Sequence, residues 1–153
     1  MSEVRADAVA VVVLRGEADD ARVLLVRRAG GAFAGGWTVV MGGVEPGERA
    51  TDAARRELLE ETGIPMSVLY TAGFLDAFYD PIRDTIVHVP FFVTRVGDDA
   101  DAVVLEDDVH DAHRWATFEE ARALLMFSAQ RRALDEVHAA FVASPPAPWR
   151  LLR

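Results

Sequence analysis

Three glutamates, Glu57, Glu60 and Glu61, crowd one turn of a segment with the composition of a helix. Residues 48–62 hold no Gly or Pro and are rich in Ala, Arg, Glu and Leu, so a helix is expected from Glu48 to Thr62. At about 100° per residue, Glu60 and Glu61 lie about −60° and about +40° from Glu57, so the three carboxylates share an arc of about 100°. Like charges at this spacing repel, and the C-terminal turns of a helix disfavour negative charge. Two local rules are broken in one place, as is expected of functional sites. Ala50, Ala53 and Ala54 open the same side of the helix. Small residues there let the helix lie close against other backbone, so this side is expected to face inward, with the carboxylates at the mouth of a site. A cation would offset their repulsion, and carboxylate oxygens suit Mg2+ or Mn2+. The plainer alternative is a solvated acidic face with Arg56 pairing Glu60 at i, i+4. It weakens once the preceding loop is counted. Gly42, Gly43 and Gly47 turn the chain into the helix, with Glu48 at the junction. Such a loop can approach phosphate or offer carbonyls to a metal.

The elements that must position this helix alternate between strand-like and helix-like periods. Ala8–Leu14 and Arg22–Arg28 are short Val/Leu-rich runs and predict buried strands. A glycine-rich loop, Ala29–Gly36, leads to a third strand, Trp37–Met41, and then to irregular backbone over Gly42–Gly47. Gly63 suits the helix C′ position and Pro65 stops any continuation. Ser67–Tyr79 and Asp84–Val96 predict two strands around the turn Asp80-Pro81-Ile82-Arg83. Gly97–Asp101 is an acidic loop, and Val103–Leu105 and His113–Ala116 predict further short strands. Thr117-Phe118-Glu119-Glu120 has capping-box spacing, and Ser128 can cap a last helix over Ala129–Ala143. Strands and helices mix without regular alternation, which favours an α+β fold. Residues 1–143 are expected to form a single domain. The Pro-rich tail 144–153 is expected to be extended or disordered, or to carry Trp149–Leu152 onto a partner subunit of a homodimer.

Composition narrows the function classes. A chain of 153 residues with 51% hydrophobic and 27% charged residues can bury a core unaided. A net charge of −9 argues against wrapping a nucleic acid polymer or lying on an anionic membrane. The absence of cysteine excludes disulfides, thiolate metal sites, iron–sulfur clusters and a Cys nucleophile. The longest apolar run, Ala8–Leu14, is far short of a bilayer span, and the charged N-terminus lacks a secretory pattern. A cytoplasmic protein is expected.

The segment as a whole resembles a complete Nudix box. Gly42 is followed after five residues by Glu48, and after seven more by Arg56-Glu57-Leu58-Leu59-Glu60-Glu61-Thr62-Gly63-Ile64. Val23–Arg28 and Gly36-Trp37 resemble the usual lead-in, although Met41 stands where most members carry Pro. The resemblance implies the Nudix fold, a mixed β-sheet sandwiched between α-helices. It implies Mg2+-dependent hydrolysis (Mn2+ as an alternative) of a diphosphate linked to a nucleotide-like group. Carried over residue by residue, Glu60 and Glu61 would be the principal metal ligands, with Glu57 joining directly or through water. The Met41 backbone carbonyl beside Gly42 would also reach the metal. Arg56 would orient the carboxylates, Glu48 would brace the junction, and Gly42 and Gly43 would shape the loop.

Water would attack phosphorus in line, with its proton passing to a carboxylate. Glu57, Glu61 and, from outside the box, Glu106 are the catalytic candidates. Beyond the box the chain is similar to the dATP and dihydroneopterin triphosphate pyrophosphohydrolases, through Trp37–Glu45 and Phe127–Leu134. The small-molecule substrate would then be nucleoside triphosphate-like, with pyrophosphate or phosphate released. The alternatives are a dinucleoside polyphosphate or ADP-ribose pyrophosphatase, and a non-catalytic nucleotide sensor. A ring needs an apolar platform, and Phe33, Phe74, Phe78, Tyr79 and Phe127 are available. Phe78 and Tyr79 are the candidates taken for substrate binding, and Arg27 is preferred to Arg28 and Arg83 for the phosphates. His88, His110 and His113 are assigned structural roles.

Overall fold

The alternation of apolar side chains along the first strand dictates the layering. β1 (Ala8–Arg15) buries Val9, Val11 and Val13 on one face and Ala10, Val12 and Leu14 on the other. Both faces are therefore covered, which a half-solvated strand would not tolerate. The computed structural model describes residues 3–97 and 102–152. The other strands are β2 (Arg22–Arg28), β3 (Trp37–Thr38), β4 (Val40–Gly43), β5 (Leu69–Asp80), β6 (Thr85–Val96), β7 (His110–Ala116) and β8 (Leu151–Leu152). The helices are α1 (Ala50–Thr62), α2 (Phe118–Leu124) and α3 (Ser128–Val137).

The sheet runs β3-β2-β1-β6-β5-β8, with β4 also on β1 and β7 on β2. Among the described residues only the β1–β6 strand pairing is parallel, so the sheet is mixed. Val9, Val11 and Val13 pack with Ala53, Ala54 and Leu58 of α1. Ala10, Val12 and Leu14 pack with Ala121 of α2 and Ala133, Leu134 and Val137 of α3. This is the expected α+β sandwich of a mixed sheet between helices. No described helix is long and apolar enough to cross a membrane.

Several local expectations need correction. Trp37–Met41 is two strands, because the chain leaves β2 at Thr38 and joins β1 at Val40. At the crossing, Val39 donates its N–H to Gln130 Oε1 (3.0 Å) instead of to a strand. Gly42 and Gly43 belong to β4 and are not irregular; the loop begins at Val44, and Gly47 supplies its left-handed turn (φ +77°). α1 starts at Ala50, two residues later than Glu48, whose carboxylate is engaged in the loop. The capping box forms, with Thr117 Oγ1 accepting from Glu120 N. The last helix begins at Ser128, is preceded by Phe127, and widens into a π-helical turn over His138–Val142.

Val103–Leu105 is not a strand. Its Val104 N–H donates to Thr62 O (2.8 Å), so α1's last carbonyls hold the segment away from the sheet. The loop expected at 97–101 lies outside the described residues apart from Gly97. The tail is tied to its own sheet: Leu151 and Leu152 pair with Tyr70 and Leu69. Arg150, preceding them, donates to Ala72 O (2.7 Å) where β5 shifts register. Pro90, which lacks a ladder donor, stands opposite that shift.

Candidate active site

α1 lies against β4, and this packing sorts the three carboxylates by depth. Ala53, Ala54 and Leu58 are fully buried, and Glu61, one turn beyond, is 5% exposed. The Glu57 side chain is 12% exposed and that of Glu60 51%. The arc therefore faces inward at Glu57 and Glu61, while Glu60 stands on the rim. Gly42 makes the closest approach possible. A Cβ on it would fall 2.0 Å from Glu57 Cδ, so any side chain there would displace the carboxylate.

Arg56 organises the outer half of the cluster. Its Nε and Nη2 grip both oxygens of Glu48 (2.9 Å each), while Nη1 donates to Glu57 (2.9 Å) and Glu60 (3.2 Å). Nη2 also donates to Gly43 O (2.8 Å), fastening the helix to the strand. Glu48 accepts from Glu45 N as well (3.0 Å), and the Arg56 bonds with this one hold its carboxyl down at about 2. These contacts place Arg56, Glu48 and Gly43 at the joint where the resemblance puts supporting residues.

Deeper in, Glu61 makes no ion pair among the described residues. Burial, then the charges of Glu57 and Glu106, push the Glu61 carboxyl up to about 8, against the pull of the Met41 N–H and Arg28. Burial also raises Glu57, partly opposed by Arg56 and reinforced by Glu60 and Glu106. Glu106 is exposed in the turn before β7, two residues beyond the Val104–Thr62 bond that brings it to α1. Glu61 Oε2 is buried without a hydrogen-bond partner. An orphaned buried carboxylate oxygen is costly unless a cation or proton meets it. Val44 N bonds to Asp7 O, and alternation along β4 then turns the Met41 N–H and C=O away from β1.

Among the described residues, no three acidic or His side chains already converge as a metal cage. Arg56 accounts for this by drawing Glu57 and Glu60 toward itself. The donor set nevertheless fits a hard divalent cation: an orphaned oxygen on Glu61, Glu57 and Glu106 within electrostatic reach of it, and Glu60 exposed on the rim, where Arg56 holds it.

Beside Met41 opens a cavity of about 630 Å3, lined among others by Arg28, Phe33, Phe78, Phe127 and Gln130. Phe78, a sequence candidate, is on its wall. Tyr79, on the opposite strand face, points elsewhere and donates to Asp84 (2.8 Å). Arg27 also differs from expectation: it pairs with Asp111 (2.7 Å) and lies over Trp37, while Arg28 lines the cavity. Alternation on β2 fixes which of the two arginines faces the site. Asp76 and Gln130 were not among the sequence candidates. Each carries a faint signal, since Asp76 interrupts the Phe74/Phe78 alternation and Gln130 sits between Ala129 and Ala133 on a buried helix face.

The architecture is a mixed sheet between helices, with Glu57 and Glu61 facing inward from the helix that packs on β4, beside a ring-sized cavity. The chain belongs to the Nudix family: the NUDIX domain profile matches residues 4–137. It is similar to mouse bis(5'-nucleosyl)-tetraphosphatase (asymmetrical), with 36% identity covering 72% of this chain and 75% of that protein. It is also 34% identical to an octanoyltransferase of Myxococcus xanthus over 86% of this chain, but spans only 36% of that protein's length. Among solved structures, the dihydroneopterin triphosphate pyrophosphohydrolase of E. coli superposes with a TM-score of 0.70 at 24% identity, covering 92% of this chain and 99% of that one.

Proposed function

We propose that this chain is a divalent-metal-dependent pyrophosphohydrolase of nucleoside triphosphate-like molecules, with Mg2+ the natural ion and Mn2+ a substitute. One observation carries the reading: the partnerless, buried Glu61 oxygen lies on the helix that packs against β4, and Met41 of that strand also lines the cavity. The ring enters the cavity and the phosphates extend past Arg28 toward Glu57 and Glu61. Bound there, the cation supplies positive charge against the phosphate oxygens and acidifies water. Arg28 neutralises phosphate charge and orients the chain. Glu57 or Glu106 accepts the proton that the attacking water gives up. Water adds to phosphorus in line, the bridging P–O bond breaks, and its electron pair leaves with the departing phosphate. Arg56 and Glu48 keep α1 seated on the strand throughout. The mouse relative favours a second reading, cleavage of a dinucleoside polyphosphate. An acidic chain without cysteines suits cytoplasmic work on such metabolites.

The test is product analysis with Mg2+ on dATP, dihydroneopterin triphosphate, a dinucleoside tetraphosphate and ADP-ribose, with Glu60→Gln and Glu61→Gln as controls. Triphosphates that yield monophosphate and pyrophosphate support the first reading, and faster turnover of the dinucleotide supports the second. Full activity in both variants overturns the assignment of the carboxylates.

A further inference from the structure

Asp76 lines the cavity among apolar side chains of β5 and β6, and Arg28 and Arg132 are the other charged groups of the lining. Asp76 shares a strand face with Phe78, opposite Val89 and Val87, and Phe78 and Val89 line the cavity with it. Among the described residues its side chain forms no hydrogen bond or ion pair. A carboxylate on an apolar wall gains most from a ligand that brings N–H donors to it, and it can accept two side by side. Gln130 lines the same cavity with a fixed orientation. Its Oε1 accepts the Val39 N–H, so its amino group is the end left to donate. One of those two N–H bonds is spent on the weak acceptor Met41 Sδ (3.3 Å), and the other is available to a ligand.

We propose that this pocket selects rings bearing the 2-amino-4-oxopyrimidine edge, which guanine and pterins share. The ring N–H and the adjacent amino group donate to the two oxygens of Asp76, and Gln130 Nε2 donates to the ring carbonyl. The inference rests on the reading above only in taking the cavity as the ring site. Adenine offers one amino donor beside a ring-nitrogen lone pair, which would face the second Asp76 oxygen. Hypoxanthine keeps the ring N–H and the carbonyl but lacks the amino group. A pocket built to pair donors discriminates more strongly than one that only packs a ring.

The test is calorimetric titration of the metal-free protein with GMP, IMP, AMP and a 2-amino-4-oxopteridine, so that binding is read apart from hydrolysis. GMP is expected to bind about 10-fold or more tightly than AMP, with IMP between them. Asp76→Asn is expected to bring GMP and AMP within about 2-fold of each other by removing the second acceptor. A pteridine tighter than GMP identifies the ring's source as a pterin, and the reverse order a guanine nucleotide; both support the shared edge. AMP binding as tightly as GMP, no measurable binding of any ring, or an Asp76→Asn change that weakens GMP and AMP equally overturns the proposal. The wild-type comparison needs no variant to fold. If GMP is preferred but no triphosphate is cleaved, the proposed reaction fails while this inference stands.

Discussion

The carboxylate of Glu57 occupies the space where residue 42 would carry its Cβ, 2.0 Å from the Glu57 Cδ. Gly42 is therefore required by the helix opposite it and not by its own backbone angles. Gly42→Ala must push Glu57 off the strand. The atoms it meets are the far end of a flexible side chain, so the stability cost is expected to be small, under about 1 kcal/mol. Because Glu57 leaves the cluster, hydrolysis should fall about 10-fold or more. Gly43→Ala meets open space and should cost under about 1 kcal/mol. Thermal unfolding and initial rates of the two variants check this.

Arg56→Lys keeps the charge but loses the fork that holds both Glu48 oxygens. The expected loss is about 1.5–3 kcal/mol, the worth of hydrogen bonds to charged groups at a half-buried site. Urea unfolding should show a lower midpoint with an unchanged slope. A midpoint equal to wild type would mean that Arg56 is not what ties α1 to the loop.

Metal-free protein should lose stability as pH rises. Glu61 titrates near 4.5 when unfolded and at about 8 in the fold, so the folded state holds the extra proton between those values. Its contribution is complete below the unfolded value and is lost as pH climbs toward about 8. A divalent ion that takes the proton's place should reverse the trend, stabilising more at pH 8 than at pH 5. Melting curves with chelator and with Mg2+ across this range check it, and Glu61→Gln should flatten both.

Arg28 and Arg27 separate the two faces of β2. Arg28→Ala should raise KM for a triphosphate about 10-fold or more by removing a charged partner of the phosphates. Arg27→Ala, whose guanidinium serves Asp111, should change it by less than about 3-fold. Equal effects would place both side chains at the substrate.

The sheet, α1 and the capped α2 were legible in the sequence because their signals are local: period-two valines, a Gly63 stop, and Thr117 three residues before Glu120. What was not legible depends on distant partners. Val103–Leu105 has strand composition but is claimed by the end of α1. The proline-rich tail is ordered by Arg150 reaching Ala72, a contact that no local pattern encodes. Helical geometry put Glu57, Glu60 and Glu61 on one arc and offered the Arg56–Glu60 pair, yet it could not show that Glu60 stands on the rim while Glu61 is buried. It also could not show that Glu61 carries a buried oxygen without a hydrogen-bond partner. Asp76 and Gln130 come from elements far apart in sequence, and only the packing of α3 on the sheet brings them to one cavity.

Mn2+ binding followed by electron paramagnetic resonance tests the account most directly. At pH 7.5, wild-type protein should quench the free-ion signal, and Glu61→Gln should weaken that binding by about 10-fold or more. If Glu61→Gln binds Mn2+ as tightly as wild type does, the buried glutamate does not hold the ion and the proposed centre lies elsewhere.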